Sequence, residues 1–201
     1  MKILNLKAIP IVHDTNAYYL NKEELNVVKK TKYRASKKGF YLSETITLLE
    51  NKTLSSLKKF IIKKAEEYVR DTLEIKDQIY LTQSWSTINL TNAFHRTHDH
   101  PNTFISVVYY AECKNSPLCF YLDASSIREC FNFSYTIKKF NIYNSHTWTL
   151  LVKPGDIVLF PGHIRHGSLP NTSSTPRIIV GANFFIKGKL GSQKEVSSLT
   201  I

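Results

Sequence analysis

From residue 79 onward the apolar residues recur with a period of two, and this pattern constrains the fold more than any other feature of the chain. Seven short segments rich in β-branched and aromatic residues follow one another, separated by turn residues, with no helical pattern between them. They are IYLTQSWSTINL, TFISVVYYAEC, LCFYLDA, FNFSYTI, TWTLLVK, DIVLFPG and RIIVGANFFI. A succession of strands without helices is typical of an antiparallel sandwich or jelly roll.

The residues before this pattern are helical in character. NKEELNVVKK (21–30) predicts a short charged helix, and residues 53–75 carry apolar side chains at steps of three and four. We expect these helices to pack against the sheet of a mainly β protein. The predicted organisation is one domain (1–201), with a helical N-terminal part (1–78), a β core (79–186) and a loosely held tail (187–201).

The composition bears on the partners and the location of the protein. The formal net charge is +11, but 21 of the 27 basic residues are lysines scattered along the chain, as an AT-rich genome would also produce. The charge alone therefore does not predict a nucleic-acid partner. Cys113, Cys119 and Cys130 have no paired spacing, which argues against a disulfide framework and favours a reducing compartment.

No targeting or membrane segment is recognisable. The N-terminal segment MKILNLKAIPIVHD has no apolar core long enough for a signal peptide. No apolar run approaches the roughly 20 residues that a membrane-spanning helix needs. We therefore expect a soluble, cytoplasmic protein without a membrane partner.

Three histidines lie within the segment AFHRTHDHPNTF (93–104). Residues two apart on a strand point to the same face, so His98 and His100 can converge on one metal ion while Asp99 points away. His95 is out of phase with this pair, although a strand end or loop can break such parity. The spacing favours a metal site, and ordinary surface histidines are the alternative.

A third ligand has to come from a distant part of the chain. In PGDIVLFPGHIRHGSLPN (154–171) a tight turn precedes an apolar strand that would deliver His163 or His166 to the mouth of a barrel. Imidazole ligands suit iron, zinc, copper or nickel, and three protein ligands with open positions are typical of a reactive site.

Arg177 begins the last predicted strand, 11 residues after His166. Alternation places Ile179, Gly181 and Asn183 on the same face as this arginine. An arginine at the inner end of a barrel strand is costly unless it meets a carboxylate, and a bound dicarboxylate would meet that need. An exposed arginine at a strand start is the other interpretation.

The order of these residues resembles that of the 2-oxoglutarate and Fe(II)-dependent oxygenases, and more narrowly the group of such oxygenases found in marine phages and bacteria. The similarity runs from about residue 43 to residue 186. It implies a double-stranded β-helix, which is a form of jelly roll, together with Fe(II), 2-oxoglutarate and O2. The matching residues are Trp85, Asn89, His98, His100, Pro101, Ser106, Tyr109, Tyr110, Pro154, Gly155, Asp156, Phe160, Pro161, His166, Arg177 and Asn183.

The resemblance also implies roles for single residues. His98 and His166 match metal ligands, Arg177 matches the residue that binds the distal carboxylate of 2-oxoglutarate, and Tyr110 and Asn183 line that pocket. The wider superfamily has His-x-Asp, and here His100 stands where the carboxylate would be. The predicted metal ligands are thus His98, His100 and His166, with Asp99 or an open position as alternatives to His100.

The function implied by the resemblance is hydroxylation of a peptidyl or small-molecule C–H bond, with release of succinate and CO2. Two alternatives come from other classes: a non-catalytic, cupin-like jelly roll that binds a metal or ligand, and a basic phage protein associated with nucleic acid. Residues 31–45 and 122–147 are predicted to form loops around the mouth of the barrel, where the substrate would be selected.

Overall fold

The computed structural model describes residues 2, 8–37, 39–114, 116–121 and 136–201. Its α-helices are α1 (Lys22–Lys30) and α2 (Ser55–Glu67), and a π-helical turn, Tyr68–Thr72, continues α2. Two 3-10 turns, Leu48–Glu50 and Lys52–Leu54, precede α2. The strands are β1 (Val12–Asp14), β2 (Tyr33–Lys37), β3 (Phe40–Ser43), β4 (Ile79–Asn89), β5 (Ile105–Glu112), β6 (Leu118–Tyr121), β7 (Thr147–Leu150), β8 (Ile157–Pro161), β9 (His166–Ser168), β10 (Arg177–Ile186), β11 (Lys189–Leu190) and β12 (Leu199–Thr200).

Two antiparallel sheets form the body of the described chain. The larger sheet has seven strands in the order β1-β8-β5-β10-β4-β3-β2, and the smaller has three in the order β7-β6-β9. The order within each sheet is not the order along the chain, because consecutive strands pass from one sheet to the other, as in a jelly roll. The structure confirms the predicted mainly β jelly roll.

Alternation along β5 divides the interior into two apolar clusters. Ile105, Val107 and Tyr109 belong to the cluster that also contains the buried residues of α2, so the helices cover the outer face of the larger sheet. Val108 and Tyr110 belong to the second cluster, together with residues of the smaller sheet such as Phe120. This second cluster lies between the two sheets.

The first 78 residues contribute strands as well as the predicted helices. α1 starts at a capping box in which Asn21 and Glu24 satisfy each other's backbone N–H groups, and α2 buries Leu57, Ile61 and Ala65 along one face. The strands β1, β2 and β3, however, join the larger sheet. These strands were not predicted because they are short, and β1 and β2 are mostly polar.

Residues 31–45, predicted as a loop, mostly form the β2–β3 hairpin. β3 pairs with β4, which places this hairpin at the edge of the larger sheet. Gly39 adopts a φ of 74° at its tip, in the left-handed region that favours glycine. The backbone oxygen of Gly39 accepts a hydrogen bond from the N–H of Leu90 (2.9 Å), so the tip is fixed to the end of β4.

Several other predictions have partial outcomes. Cys113 and Cys119 are buried and free, whereas Cys130, most of the segment FNFSYTI and residues 122–135 lie outside the described residues. The tail contains the short pair β11–β12 and is largely exposed. Among the described helices, none has the length and apolar character needed to cross a bilayer.

Candidate metal centre

Three histidines from two distant parts of the chain, His98, His100 and His166, lie together between the sheets. His98 and His166 form an isolated antiparallel bridge, which attaches the segment before β5 to the edge of the smaller sheet. His100 lies two residues beyond His98, and its backbone N–H donates to Gly162 O (2.9 Å). Each histidine offers one ring nitrogen, and these atoms all lie within 4.8 Å of one another.

The Nδ1 atom of each histidine is already occupied by a hydrogen bond. Nδ1 of His98 lies 2.8 Å from Arg96 O, and Nδ1 of His166 lies 2.8 Å from Ile164 O. Nδ1 of His100 lies 2.7 Å from Asn183 Oδ1. Since all three partners are acceptors, each Nδ1 carries the proton and each Nε2 keeps a free lone pair, the state in which imidazole binds a metal ion.

The Nε2 atoms of His98 and His100 face each other at 3.1 Å. Two lone pairs at this distance repel unless a cation lies between them. Two nitrogens that bind one ion at about 2.1 Å and at right angles to each other lie about 3.0 Å apart. The spacing of these imidazoles therefore fits neighbouring ligands of one metal ion.

Burial keeps the histidines neutral. It lowers the pKa of His166 to about 3 and the pKa of His100 to about 4, and it lowers the pKa of His98 as well. The neighbouring imidazoles add to the effect for His166 and His100, because each would repel a second positive charge. Neutral imidazoles at physiological pH are ready to bind a cation.

The other candidate ligands from the sequence lie outside this group. Asp99 is exposed, as the strand alternation predicted, and His163 is exposed while His166 is buried. His95, predicted to lie out of phase, nevertheless reaches the site through its ring, whose centroid is 4.1 Å from that of His98. The pKa of His95 is lowered to about 2, mainly by burial and to a smaller extent by repulsion from the neighbouring His98.

Arg177 is 3% exposed and lies next to the histidines. Its guanidinium carbon is 5.2 Å from the ring centroid of Tyr110. Among the described residues no carboxylate forms an ion pair with it, and Nε and Nη1 have no hydrogen-bond partner. A buried guanidinium without an anion is costly, so this arrangement fits an anionic ligand.

Tyr110 presents a second unsatisfied group in the same region. Its side chain is fully buried, and its hydroxyl has no hydrogen-bond partner in the described structure. Burial raises the pKa of Tyr110 to about 12, although the nearby Arg177 opposes this rise. The neutral phenol is therefore a hydrogen-bond donor beside the unpaired arginine. The adjacent Tyr109 points to the other face, where its hydroxyl donates to Tyr18 O (3.0 Å).

Asn183 contacts His100, whereas the resemblance placed it in the 2-oxoglutarate pocket. Its Oδ1 accepts from the Nδ1–H of His100, and it also accepts from the hydroxyl of Ser106 (3.1 Å). Ser106 Oγ lies 2.7 Å from the same Nδ1 of His100. Ser106 and Asn183 are paired across β5 and β10, which explains why the two side chains meet. The contact with the histidine had no local signal in the sequence.

Trp85 covers the neighbouring face of the site. Its ring lies edge-on to His100 at a centroid distance of 5.4 Å. Trp85 and Gly181 are paired across β4 and β10, and a Cβ at Gly181 would lie 2.5 Å from the indole. Glycine is thus required for the indole to lie flat on β10. The narrow cavity beside the histidines is also lined by Val108, Leu118 and Ile179.

Comparisons with known proteins agree with this geometry. The fold resembles an oxidoreductase of the 2OG-Fe(II) oxygenase family from Burkholderia pseudomallei, with 10% identity, a TM-score of 0.60 and coverage of 87% of this chain and 83% of that one. HygX from Streptomyces hygroscopicus, solved with nickel and 2-oxoglutarate, has 9% identity, a TM-score of 0.60 and coverage of 88% and 82%. A Pseudomonas putida prolyl-4-hydroxylase has 11% identity, a TM-score of 0.53 and coverage of 90% and 94%. At these identities the likeness shows the fold.

The sequence itself provides the assignment. The search of curated proteins finds no match. Residues 83–183, half of the chain, match the family model described as "Putative 2OG-Fe(II) oxygenase". This range contains the three histidines, Arg177, Tyr110 and Asn183. The chain belongs to the 2OG-Fe(II) oxygenase family, whose members are 2-oxoglutarate-dependent non-haem iron enzymes.

Proposed function

We propose that His98, His100 and His166 bind the iron of this oxygenase through their Nε2 atoms. The observation that carries the proposal is that all three Nδ1 atoms are held by acceptors, while the three ligand atoms lie within 4.8 Å of one another. Compared with a site of two histidines and a carboxylate, three neutral imidazoles leave the metal with one more unit of positive charge.

We infer that Arg177 and Tyr110 bind 2-oxoglutarate. The Arg177 guanidinium, whose Nε and Nη1 have no partner among the described residues, can form charge-assisted hydrogen bonds with the distal carboxylate, and the Tyr110 hydroxyl can donate to the same group. A 2-oxoglutarate dianion would neutralise the charge of Arg177, which no described carboxylate does. The apolar lining of Val108, Leu118 and Ile179 excludes water and strengthens this ion pair.

Asn183 and Ser106 are proposed to position His100. Their side chains hold its Nδ1–H, which fixes the ring orientation and keeps Nε2 free. In this proposal Asn183 positions the metal ligand His100 and does not bind 2-oxoglutarate.

The reaction we propose is hydroxylation. Iron and 2-oxoglutarate, when bound, activate O2, and one oxygen atom enters succinate while the other enters a substrate C–H bond, with release of CO2. His95, which lines the cavity, and the exposed Arg96 lie next to these ligands along the chain.

The substrate class is a peptidyl group or a small molecule. Among similar folds, one is named as a prolyl-4-hydroxylase and another was solved with hygromycin B. The family match favours this enzyme over the cupin-like or nucleic-acid-associated alternatives. We further infer that residues 1–201 form one oxygenase domain, because the larger sheet takes strands from β1 to β10. The cytoplasmic location and the link to marine phages and bacteria stay predictions.

The test uses the full chain under anaerobic conditions. Adding Fe(II) and then 2-oxoglutarate should produce the weak visible charge-transfer band of the chelated co-substrate, and admitting O2 should release succinate. His98→Ala and His166→Ala should abolish the band. Iron-loaded protein that shows neither the band nor succinate would contradict the proposed function.

A further inference from the structure

A row of three aromatic rings runs from the β2–β3 hairpin into the metal centre. The ring of Phe40 lies 4.7 Å from that of His95, with an interplanar angle of 30°. The ring of His95 lies 4.1 Å from that of His98, at 33°. Both pairs are tilted ring contacts, so the hairpin contacts a proposed metal ligand through one intermediate ring.

The backbone is fixed at the first two residues of this row, Phe40 and His95. Phe40 is paired with Asn89 across β3 and β4, next to the hairpin tip that is tied to Leu90. The His95 N–H donates to Ser168 Oγ (2.8 Å), and His95 O accepts from the Ser168 N–H (3.1 Å). The ring of His95, by contrast, has no hydrogen bond to any described residue, so its position depends on the rings on either side of it.

His98 is the ligand that most needs such support. His166 is buried and packs against Phe160 at a ring distance of 4.5 Å, and His100 is held by Asn183 and Ser106. His98 has one protein hydrogen bond at Nδ1, to a backbone oxygen of its own segment, and its ring is partly exposed. On the side towards the hairpin, His95 is the ring that lies against it.

We propose that Phe40 and His95 are positioning residues that hold the ligand His98 in its metal-binding orientation. The inference rests on the proposed function, because it takes His98 as a ligand. It extends the site to a part of the chain outside the family match, because Phe40 lies before residue 83, where the match begins. The role of His95 in this arrangement depends on its flat ring and not on its nitrogens.

Metal affinity is the direct measurement, with Co(II) as the probe because its visible absorption reports the ligand geometry. The affinity of the full chain is measured by competition with a chelator, without co-substrate or turnover. Loss of one such ring contact corresponds to roughly a three- to tenfold weaker Kd. We therefore expect Phe40→Ala and His95→Ala each to weaken Co(II) binding by this factor and to change the absorption spectrum.

Three further variants distinguish positioning from other roles. His95→Phe keeps the ring and removes its nitrogens, so it should keep wild-type Co(II) affinity. Tyr41→Ala removes the neighbouring side chain, which points to the opposite face of β3, and should also leave the affinity unchanged. The double variant Phe40→Ala/His95→Ala should lose no more affinity than His95→Ala alone, because both substitutions interrupt the same row.

The outcomes separate this proposal from the one on which it rests. If the wild-type chain binds no Co(II), or if His98→Ala binds it as tightly, the proposed metal site fails. If the wild type binds and Phe40→Ala binds equally well, or His95→Phe loses as much affinity as His95→Ala, the positioning proposal is overturned. If Phe40→Ala shows no cooperative thermal unfolding transition, Phe40→Leu is measured in its place. Leucine keeps an apolar side chain of similar size without the flat ring, so the expected loss of Co(II) affinity is the same.

Discussion

His98 and His166 exchange both backbone hydrogen bonds, with the His98 N–H donating to His166 O at 2.9 Å and the His166 N–H donating to His98 O at 2.8 Å. Residues paired in this way have side chains on the same face of the sheet. Their ring centroids are accordingly 4.4 Å apart. The backbone bridge therefore brings two of the three proposed ligands together on one face.

Replacement of Arg177 tests the co-substrate site. We expect Arg177→Met to weaken 2-oxoglutarate binding by roughly 10- to 100-fold, because it removes charge-assisted hydrogen bonds to the distal carboxylate. Metal affinity should stay within about twofold. Isothermal titration of the Ni(II)-loaded chain with 2-oxoglutarate measures the first quantity, and chelator competition measures the second.

The same variant has a distinctive effect on stability. Without ligands, Arg177 is a buried cation that no described carboxylate pairs, so Arg177→Met should not lower the free energy of unfolding. Arg177→Lys is the matched control that keeps the charge without the planar fork, and it should restore only part of the affinity. Equal losses of metal and co-substrate binding in Arg177→Met would indicate a structural role instead.

Replacement of Asn183 tests the positioning of His100. Asn183→Leu removes one of the two acceptors for the Nδ1–H of His100 and places an apolar side chain beside it, so we expect the metal affinity to fall by roughly 10- to 100-fold. Ser106→Ala should have a smaller effect, because Asn183 still accepts from His100. Affinity for 2-oxoglutarate, measured at saturating metal, should change little. A selective loss of 2-oxoglutarate binding would return Asn183 to the co-substrate pocket.

The buried His166 predicts how the stability of metal-free protein depends on pH. Its pKa is about 3 in the folded chain, against roughly 6.5 for an unfolded histidine. Between these values the unfolded state binds more protons, so stability falls as the pH falls through this window. His166→Gln should reduce the slope of unfolding free energy against pH by about 1.4 kcal/mol per pH unit.

Urea unfolding of EDTA-treated protein at several pH values between 4 and 7 provides this slope. His163→Gln is the matched control, since it removes one histidine from the surface instead of the site. An identical slope in His166→Gln and wild type would show that His166 is not the buried, neutral group described above.

Substitution of Gly181 tests the packing of Trp85. A Cβ there would lie 2.5 Å from the indole, so Gly181→Ala should displace the ring and lower stability by about 1–3 kcal/mol. Trp85 fluorescence, recorded in a Trp148→Phe background because the chain has two tryptophans, should change. Adding Trp85→Leu to Gly181→Ala should recover part of the stability. If the double variant is no more stable than Gly181→Ala, the loss of stability does not come from a clash with the indole of Trp85.

Much of the core of the site follows from strand periodicity. Alternation separates His98 and His100 from the exposed Asp99, and it puts Arg177 on the same face of β10 as Ile179 and Asn183. The sequence left open whether Arg177 is buried or exposed, and the structure buries it. The sequence could not show that the ring of His95 lies against that of His98, because residues 93–98 follow the edge of β9 and form no strand of their own.

Contacts between distant segments were equally hidden. The hairpin that carries Phe40 has the polar sequence YRASKKGFYLS, in which no alternation is evident, and its place is decided by pairing with β4. Asn183 meets His100 across 83 residues, through the register of β10 against β5. Such contacts depend on tertiary geometry that local patterns do not encode.

The isolated bridge between His98 and His166 determines which part of the fold we expect to open when the metal ion is removed. His98 and His166 lie at the edge of the smaller sheet, whereas His100 is held by Asn183 of the larger one. An ion shared by all three closes a chain loop of more than sixty residues and cross-links the two layers. Metal binding therefore also stabilises the closed loop. Removal of the ion with a chelator should open this edge of the jelly roll first, and amide exchange should then be faster at His98 and His166 than in the centre of β10.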